Sequence, residues 1–262
     1  VCASAILRDK LATNILNFII EMGIDGIDID WEYPGYQTGR DTSIDRPNFT
    51  LLMQEIRRQL KEANPEYLVT AAIPGGKYGY TRYELSKLNS ILDYFHLMTY
   101  DLQASDRATH HTGLYTGSYT PHGSVEQTVN LFMAQGVSKD KLVVGLAFYG
   151  RKFNVTSSGT GIGIDNNVST ADAITYTNIY NNYLIPIKNG STTITRYWDD
   201  KTKAPYIYDK QTRIWITYDD PESITYKCEY VLEKGLAGVM FWDYGEDQTF
   251  QLTQAIHDTL RK

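Results

Sequence analysis

Cysteine is nearly missing from this chain of 262 residues: Cys2 and Cys228 are the only two. Two thiols so far apart cannot form a disulfide framework and lack the spacing of a zinc knuckle. Basic charge is also short, with 25 Lys and Arg against 31 Asp and Glu and a net charge of −6. That argues against nucleic acid as a partner, since binding it needs cations to neutralise phosphates. No apolar run reaches the roughly 18 residues of a membrane span. No basic-then-apolar leader follows Val1, so any targeting signal is expected to be absent or already removed. Disorder is excluded as well, because hydrophobic residues make up 42% and charged ones only 21%. Phenylalanine is sparse beside tyrosine, 8 against 21, which fits either a hydrogen-bonding aromatic surface or β-rich structure.

The length allows one large domain, or one domain with an insertion. Helical spacing of Leu11, Ile15, Phe18, Ile19 and Met22 predicts a helix over 8–22, stopped by Gly23. A strand is expected at 24–32, a charged amphipathic helix at 46–63, a strand at 68–74 and a short helix near 82–90. Further strands are expected at 93–101, 142–149 and 237–242, with helices near 124–135, 221–234 and 248–261. Such alternation implies an α/β fold with parallel pairing through right-handed crossovers. The rhythm breaks over 152–218, where runs such as TITRYWDD, APYIYDK and RIWITYDD read as antiparallel hairpins. The expected organisation is therefore a (β/α) unit over 1–151 and 219–262 with an α+β insertion at 152–218.

The sharpest feature is the run DGIDIDWEYPG, residues 25–35. Alternate residues of a strand share a face, roughly 6.6–7 Å apart. Asp28, Asp30 and Glu32 therefore line up on one side, with Ile27, Ile29 and Trp31 on the other. Three stacked carboxylates on a buried strand would repel, so some must hold protons. A divalent cation is a second chemical option, but no histidine lies near the strand and the acids do not converge from loops. Parity places His96, Met98 and Tyr100 on one face, Gly145, Ala147, Tyr149 and Arg151 on another set of inward positions, and Met240 with Trp242 on a third. Each set puts its larger polar or aromatic member at the C-terminal end of its strand, the rim where barrel active sites sit.

This run closely resembles the D-x-x-D-x-D-x-E signature of glycoside hydrolase family 18, the chitinases and their relatives. The stretches Met98-Thr99-Tyr100-Asp101 and Gly145-Leu146-Ala147-Phe148-Tyr149-Gly150-Arg151, the insertion after them, and Trp242 agree in order and spacing. The resemblance implies a (β/α)8 TIM barrel carrying a small α+β insertion. Only five parallel strands are expected here, which would leave two open hydrophobic edges, so the sequence is expected to lack the first three barrel strands and to be a piece of a longer chain. The implied reaction is retaining hydrolysis of β-1,4-linked N-acetylglucosamine polymers, with the substrate's own acetamide oxygen as nucleophile. In that scheme Glu32 is the general acid, its pKa raised by a negative Asp30. Asp30 orients the acetamide, Asp28 shares a proton with Asp30, and Tyr100 donates to the acetamide oxygen. Trp242 floors the reacting sugar, and Tyr33, Met98, Asp101, Tyr149 and Arg151 contact substrate. Asp25, on the opposite parity, is structural. No cofactor or metal is implied, and the expected partner is chitin or its oligomers, met outside the cell by a monomer. A direct covalent attack by Asp30, as in ordinary retaining enzymes, is the rival mechanism.

Two other functions share these residues: a chitin lectin that keeps the groove without turnover, and a hydrolase of peptidoglycan or N-glycans. Chromophore release from an N-acetylglucosaminide, compared with mere retention on chitin beads, separates the first from an enzyme. One departure from the family concerns the residues after Asp101, where many relatives carry His-Gly and then Trp while this chain has Leu102-Gln103-Ala104-Ser105-Asp106. Pro74-Gly75-Gly76-Lys77 lacks the phosphate-loop pattern and reads as a turn, and Gly159, Gly161 and Gly163 do not make a dinucleotide fingerprint. His110 and His111 are expected in a solvated loop. Asn48, Asn154, Asn167 and Asn189 head glycosylation sequons to which no role is assigned.

Overall fold

A computed structural model describes residues 1–36, 41–157, 159 and 161–261; of the expected insertion, residues 158 and 160 lie outside the described residues. Helix α1 (Ala5–Met22) starts at Ser4, whose hydroxyl accepts from the Leu7 amide, and ends at Gly23 in the left-handed conformation. Strand β1 (Gly26–Asp30) follows, shorter than the expected 24–32, so Glu32 stands two residues past its end. Helix α2 (Thr42–Ala63) begins four residues before the expected 46, because the Asp41 carboxylate caps it at the Ser43 amide. Pro47 consequently falls inside the helix. Its ring leaves the carbonyl of Ser43 without an intrahelical donor, and Ser43 is exposed.

Strands β2 (Leu68–Pro74) and β3 (Tyr94–Met98) come next, joined by short helical turns, Leu85–Leu88 among them, in place of the single helix expected near 82–90. Helix α3 (Val125–Ala134), capped by Ser124, leads to β4 (Leu142–Ala147). Then come β5 (Tyr149–Val155), β6 (Val168–Thr175), β7 (Ile194–Asp199), β8 (Ala204–Asp209) and β9 (Ile214–Tyr218). Helix α4 (Pro221–Lys234) matches its expected span: Asp220 and Ser223 form a reciprocal capping box, Pro221 occupies the first turn, and Gly235 closes it at φ 63°. Strand β10 (Gly238–Trp242) and helix α5 (Gln251–Leu260) complete the chain.

The strands form two five-stranded sheets, one in the order β1-β2-β3-β4-β10 and one in the order β6-β5-β9-β8-β7. Every pair of the first is parallel and every pair of the second antiparallel. The fold is thus α/β with the parallel strand order of a (β/α) barrel. Alternation decides which way each strand faces. Val69, Ala71, Ile73, Phe95, Leu97, Val144 and Leu146 point to the helices and are fully buried with Ile19, Met53, Ile56 and Phe132. The opposite face carries the chemistry. The second sheet has its own core of Phe153, Val155, Tyr206, Tyr208 and Trp215, and it takes in Tyr149, Gly150 and Arg151 ahead of the expected start at 152.

One expectation is corrected here. The acidic strand was read as buried, yet β1 is an edge of its sheet, and Asp28, Asp30 and Glu32 are all exposed. Ile27, Ile29 and Trp31 do pack into the core on the other face.

Candidate active site

Two adjoining cavities open at the C-terminal ends of the parallel strands. The larger, of about 420 Å³, is lined by Asp28, Asp30, Glu32, Met98, Tyr100, Asp101, Tyr149, Arg151 and Trp242, together with Ala72, His96, Ala173, Met240 and Glu246. The smaller, of about 320 Å³, shares Glu32, Met98, Tyr100 and Asp101 with it and adds Tyr33, Tyr36, Lys77 and Arg82. Every residue expected in the site therefore lines one cavity or the other, and Glu32 stands where they meet.

Register explains how residues far apart in sequence converge. Asp28 pairs with Thr70, Asp30 with Ala72, and Ala72 in turn with His96. Neighbours in register share a face, and the small Ala72 between them leaves room for a side chain to cross. Thr70 Oγ1 donates to Asp28 Oδ1 at 2.5 Å, and His96 Nδ1 lies 2.9 Å from the same oxygen. A histidine thus does stand beside the acidic strand, delivered from β3, contrary to the expectation drawn from sequence neighbours alone. Desolvation opposes the charge on Asp28, but His96 and Thr70 outweigh it and hold its pKa below the usual carboxylate range. Asp30 goes the other way: partial desolvation against the cleft wall first, then the charges of Glu32 and Asp28, push its pKa up. The two shifts run in opposite directions: Asp28 ionises more readily than a free carboxyl and Asp30 less readily.

Tyr100 stands two residues past β3, and its phenol is pushed well up by burial and by Asp101, Asp30 and Glu32, so it remains a hydrogen-bond donor. Gly145 makes space for it. A β-carbon there would lie 2.3 Å from the Leu97 carbonyl oxygen and 3.0 Å from the Tyr100 ring. Asp101 has φ 60°, in the left-handed region that Asp tolerates better than most residues. Its carboxylate takes a bidentate pair from Arg151, at 2.6 Å from Nε and 2.5 Å from Nη2. Desolvation works against that charge, but the Arg151 fork, by hydrogen bonding and charge, helps hold Asp101 far below the usual range. Arg151 also lies 5.3 Å over the Tyr149 ring, which meets Tyr100 edge-on at 5.9 Å. Trp242, 57% exposed, closes the rim from β10.

Among the cavity residues outside the expected site are His96, Glu246 and Tyr36. His96 was placed on the inward face by parity, but its partner Asp28 is 68 residues away and only sheet register joins them. Glu246 sits in a helical turn beyond β10, and burial together with Asp243 pushes its pKa up. Tyr36 contacts Tyr33 edge-on and lies under the Arg82 guanidinium. No motif marked the last two. His110 and His111 are fully buried, correcting the expected solvated loop. The reason is the second sheet, which covers them: His110 contacts Asp199, Tyr206 and Trp215, and the His111 amide donates to Thr217.

The strand order and the acid-lined cleft at the C-terminal strand ends place the protein among barrel glycosidases, and the chain belongs to glycosyl hydrolases family 18, whose family model matches residues 2–247. It is 32% identical to chitinase A1 of Niallia circulans, over 95% of this chain and 38% of that protein. It is 31% identical to chitinase B of Serratia marcescens, over 92% of this chain and 58% of that one. The chain thus spans between about two fifths and three fifths of the length of these relatives. Among solved structures it superposes on a glycoside hydrolase family 18 N-acetylglucosaminidase from Paenibacillus barengoltzii with a TM-score of 0.88 and 34% identity. That match covers 99% of this chain and 77% of the other.

Proposed function

We propose that this protein hydrolyses β-1,4-linked N-acetylglucosamine chains, chitin or its oligomers, with retention of configuration and with the substrate's acetamide as nucleophile. The observation that carries the reading is the position of Glu32 at the junction of two cavities, with Asp30 behind it and Tyr100 and Asp101 shared by both. A glycosidic bond across that junction has one sugar in each cavity and its bridging oxygen at Glu32, the general acid that afterwards activates water. Asp30 accepts the acetamide N–H, and Tyr100 donates to the acetamide oxygen as it closes on the anomeric carbon. Charge on Asp30 stabilises the oxazolinium ion, while the Asp28–His96 pair holds Asp28 as a fixed anion beneath it. Trp242 supplies the apolar floor, and Asp101, Tyr149, Arg151, Met98 and Tyr33 hold the sugars on either side. Residues 152–218 act as an insertion domain that walls the larger cavity through Ala173. A polymer met outside cells calls for a secreted, monomeric enzyme.

The test is chromophore release from an N-acetylglucosamine oligomer by the protein and by Glu32→Gln. The expected result is turnover by the first, none by the second, and retention of both on chitin beads. Full activity in the variant overturns the assignment of Glu32, and retention without turnover by the unaltered protein turns the reading to a lectin. A thiazoline analogue of the oxazolinium ion is expected to compete with substrate; no inhibition would favour covalent attack by Asp30.

A further inference from the structure

His111 has no part in the chemistry above, yet it is fully buried directly behind the cleft. Its Nδ1 lies 3.5 Å from the backbone nitrogen of Asp101 and 3.8 Å from the Asp101 carboxylate, and its ring packs 5.4 Å from that of Tyr149. Its carbonyl accepts from the Leu102 amide, and its own amide donates to Thr217. The neighbouring Thr112 hydroxyl donates to the Thr99 carbonyl and receives the Lys227 ammonium. His111 is therefore clamped on both sides while its imidazole meets the turn that carries Tyr100 and Asp101.

We propose that His111 is a positioning residue for Asp101, and through it for Arg151 and Tyr149. Asp101 stands in the left-handed conformation, which aims its N–H into the protein and its carboxylate along the cleft wall. A neutral imidazole accepting that N–H at Nδ1 satisfies a donor that has no place in the β3 ladder. Burial keeps the imidazole neutral by lowering its pKa, even with Asp101 and Asp219 near it on one side and Lys227 on the other. The carboxylate that the turn presents is the one that fixes Arg151 in a bidentate fork, and Arg151 in turn covers Tyr149. Loss of the acceptor frees the turn, and the fork goes with it.

The inference rests on the proposed hydrolysis for its kinetic readout, so a second readout is independent of substrate. His111→Phe keeps a ring against Tyr149 and removes the acceptor, whereas His111→Asn keeps an acceptor near the Nδ1 position and removes the ring. In the full chain, His111→Phe is expected to lower kcat/KM about tenfold, the scale of leaving a buried donor unpaired. The loss should fall mainly in KM, since Asp101 and Arg151 hold the ground state as well as the transition state. His111→Asn is expected to recover most of it. By NMR, the slowly exchanging Arg151 Nε–H signal of the fork is expected to vanish or shift in the Phe variant and to persist in the Asn variant. An Arg151 signal unmoved in His111→Phe overturns the proposal whatever the activity, and so does an Asn variant that loses the signal while still folded. Should His111→Phe not fold, the Asn variant alone decides by the same signal. Absence of turnover in the unaltered protein sinks the hydrolase reading and leaves the NMR comparison standing.

Discussion

Replacing Lys227 with methionine is expected to cost the fold more than any change at the cleft rim. Its ammonium is fully buried and donates to both carboxylate oxygens of Asp219 and to the Thr112 hydroxyl, each at 2.7 Å. Met has nearly the same length and shape, so the loss is electrostatic. Among the described residues Asp219 keeps the Ser223 hydroxyl and the Ala147 amide, at 2.7 and 3.2 Å, and loses its ammonium counter-ion while still buried. Breaking such a pair from one side costs about 3–5 kcal/mol. At about 2 cal/mol/K of unfolding entropy per residue, a chain of this size has about 0.55 kcal/mol/K, so Tm is expected to fall by about 5–9 °C. Differential scanning calorimetry reads this directly. Adding Asp219→Asn removes the stranded charge and is expected to restore at least half of the loss. A Tm within about 2 °C of the unaltered protein for Lys227→Met, or a double variant worse than the single, would refute the reasoning.

Asp30→Asn is expected to raise Tm at pH 7. A carboxyl whose folded pKa lies above its unfolded value weakens the fold once ionised, and below the unfolded value of about 3.9 both states are protonated. The gain should therefore shrink as pH falls from 7 towards 4, and a gain that grows on acidification, in melts across that range, contradicts the opposite shifts of Asp28 and Asp30. Tyr100→Phe removes the donor that orients the acetamide oxygen towards the anomeric carbon and is expected to lower kcat about a hundredfold with little change in KM; a kcat within about threefold in steady-state kinetics removes Tyr100 from the mechanism. Gly145→Ala drives a β-carbon into the Leu97 carbonyl at 2.3 Å, and a loss of about 1–3 kcal/mol in urea unfolding is expected from such overpacking, whereas an unchanged midpoint would show that β3 and β4 can part.

Much of the parallel sheet could be read in advance because its strands, such as LVTAAIP and LVVGLA, are short apolar runs set between helical patterns. Helix α4 was legible to the residue because Asp220, Pro221, Ser223 and Gly235 state both its ends. The start of helix α2 was not, since its Asp41 cap lies upstream of the charged amphipathic stretch expected from residue 46. The acidic cluster stood out through strand parity, but two facts about it depended on long-range contacts. Whether a strand lies at an edge is a property of its neighbours, and so the exposure of Asp28 and Asp30 escaped a local reading. Which base reaches Asp28 is decided by register across three strands, and no spacing within DGIDIDWEYPG encodes His96. The burial of His110 and His111 escaped for the same reason: polar loop chemistry surrounds them in sequence, and only the second sheet dries them.

A single residue, Phe148, separates β4 from β5. Its amide donates to the Trp242 carbonyl, and its ring lies flat on Phe241 at 4.2 Å. With so short a joint the second sheet has no slack to swing on its own. Any tilt of it must be passed to Tyr149 and Arg151, the first and third residues of β5, and so to the ion pair at the cleft wall. The width of the cleft and the attitude of the second sheet are in effect one mechanical coordinate, and whatever stiffens that sheet also sets how wide the cleft can open.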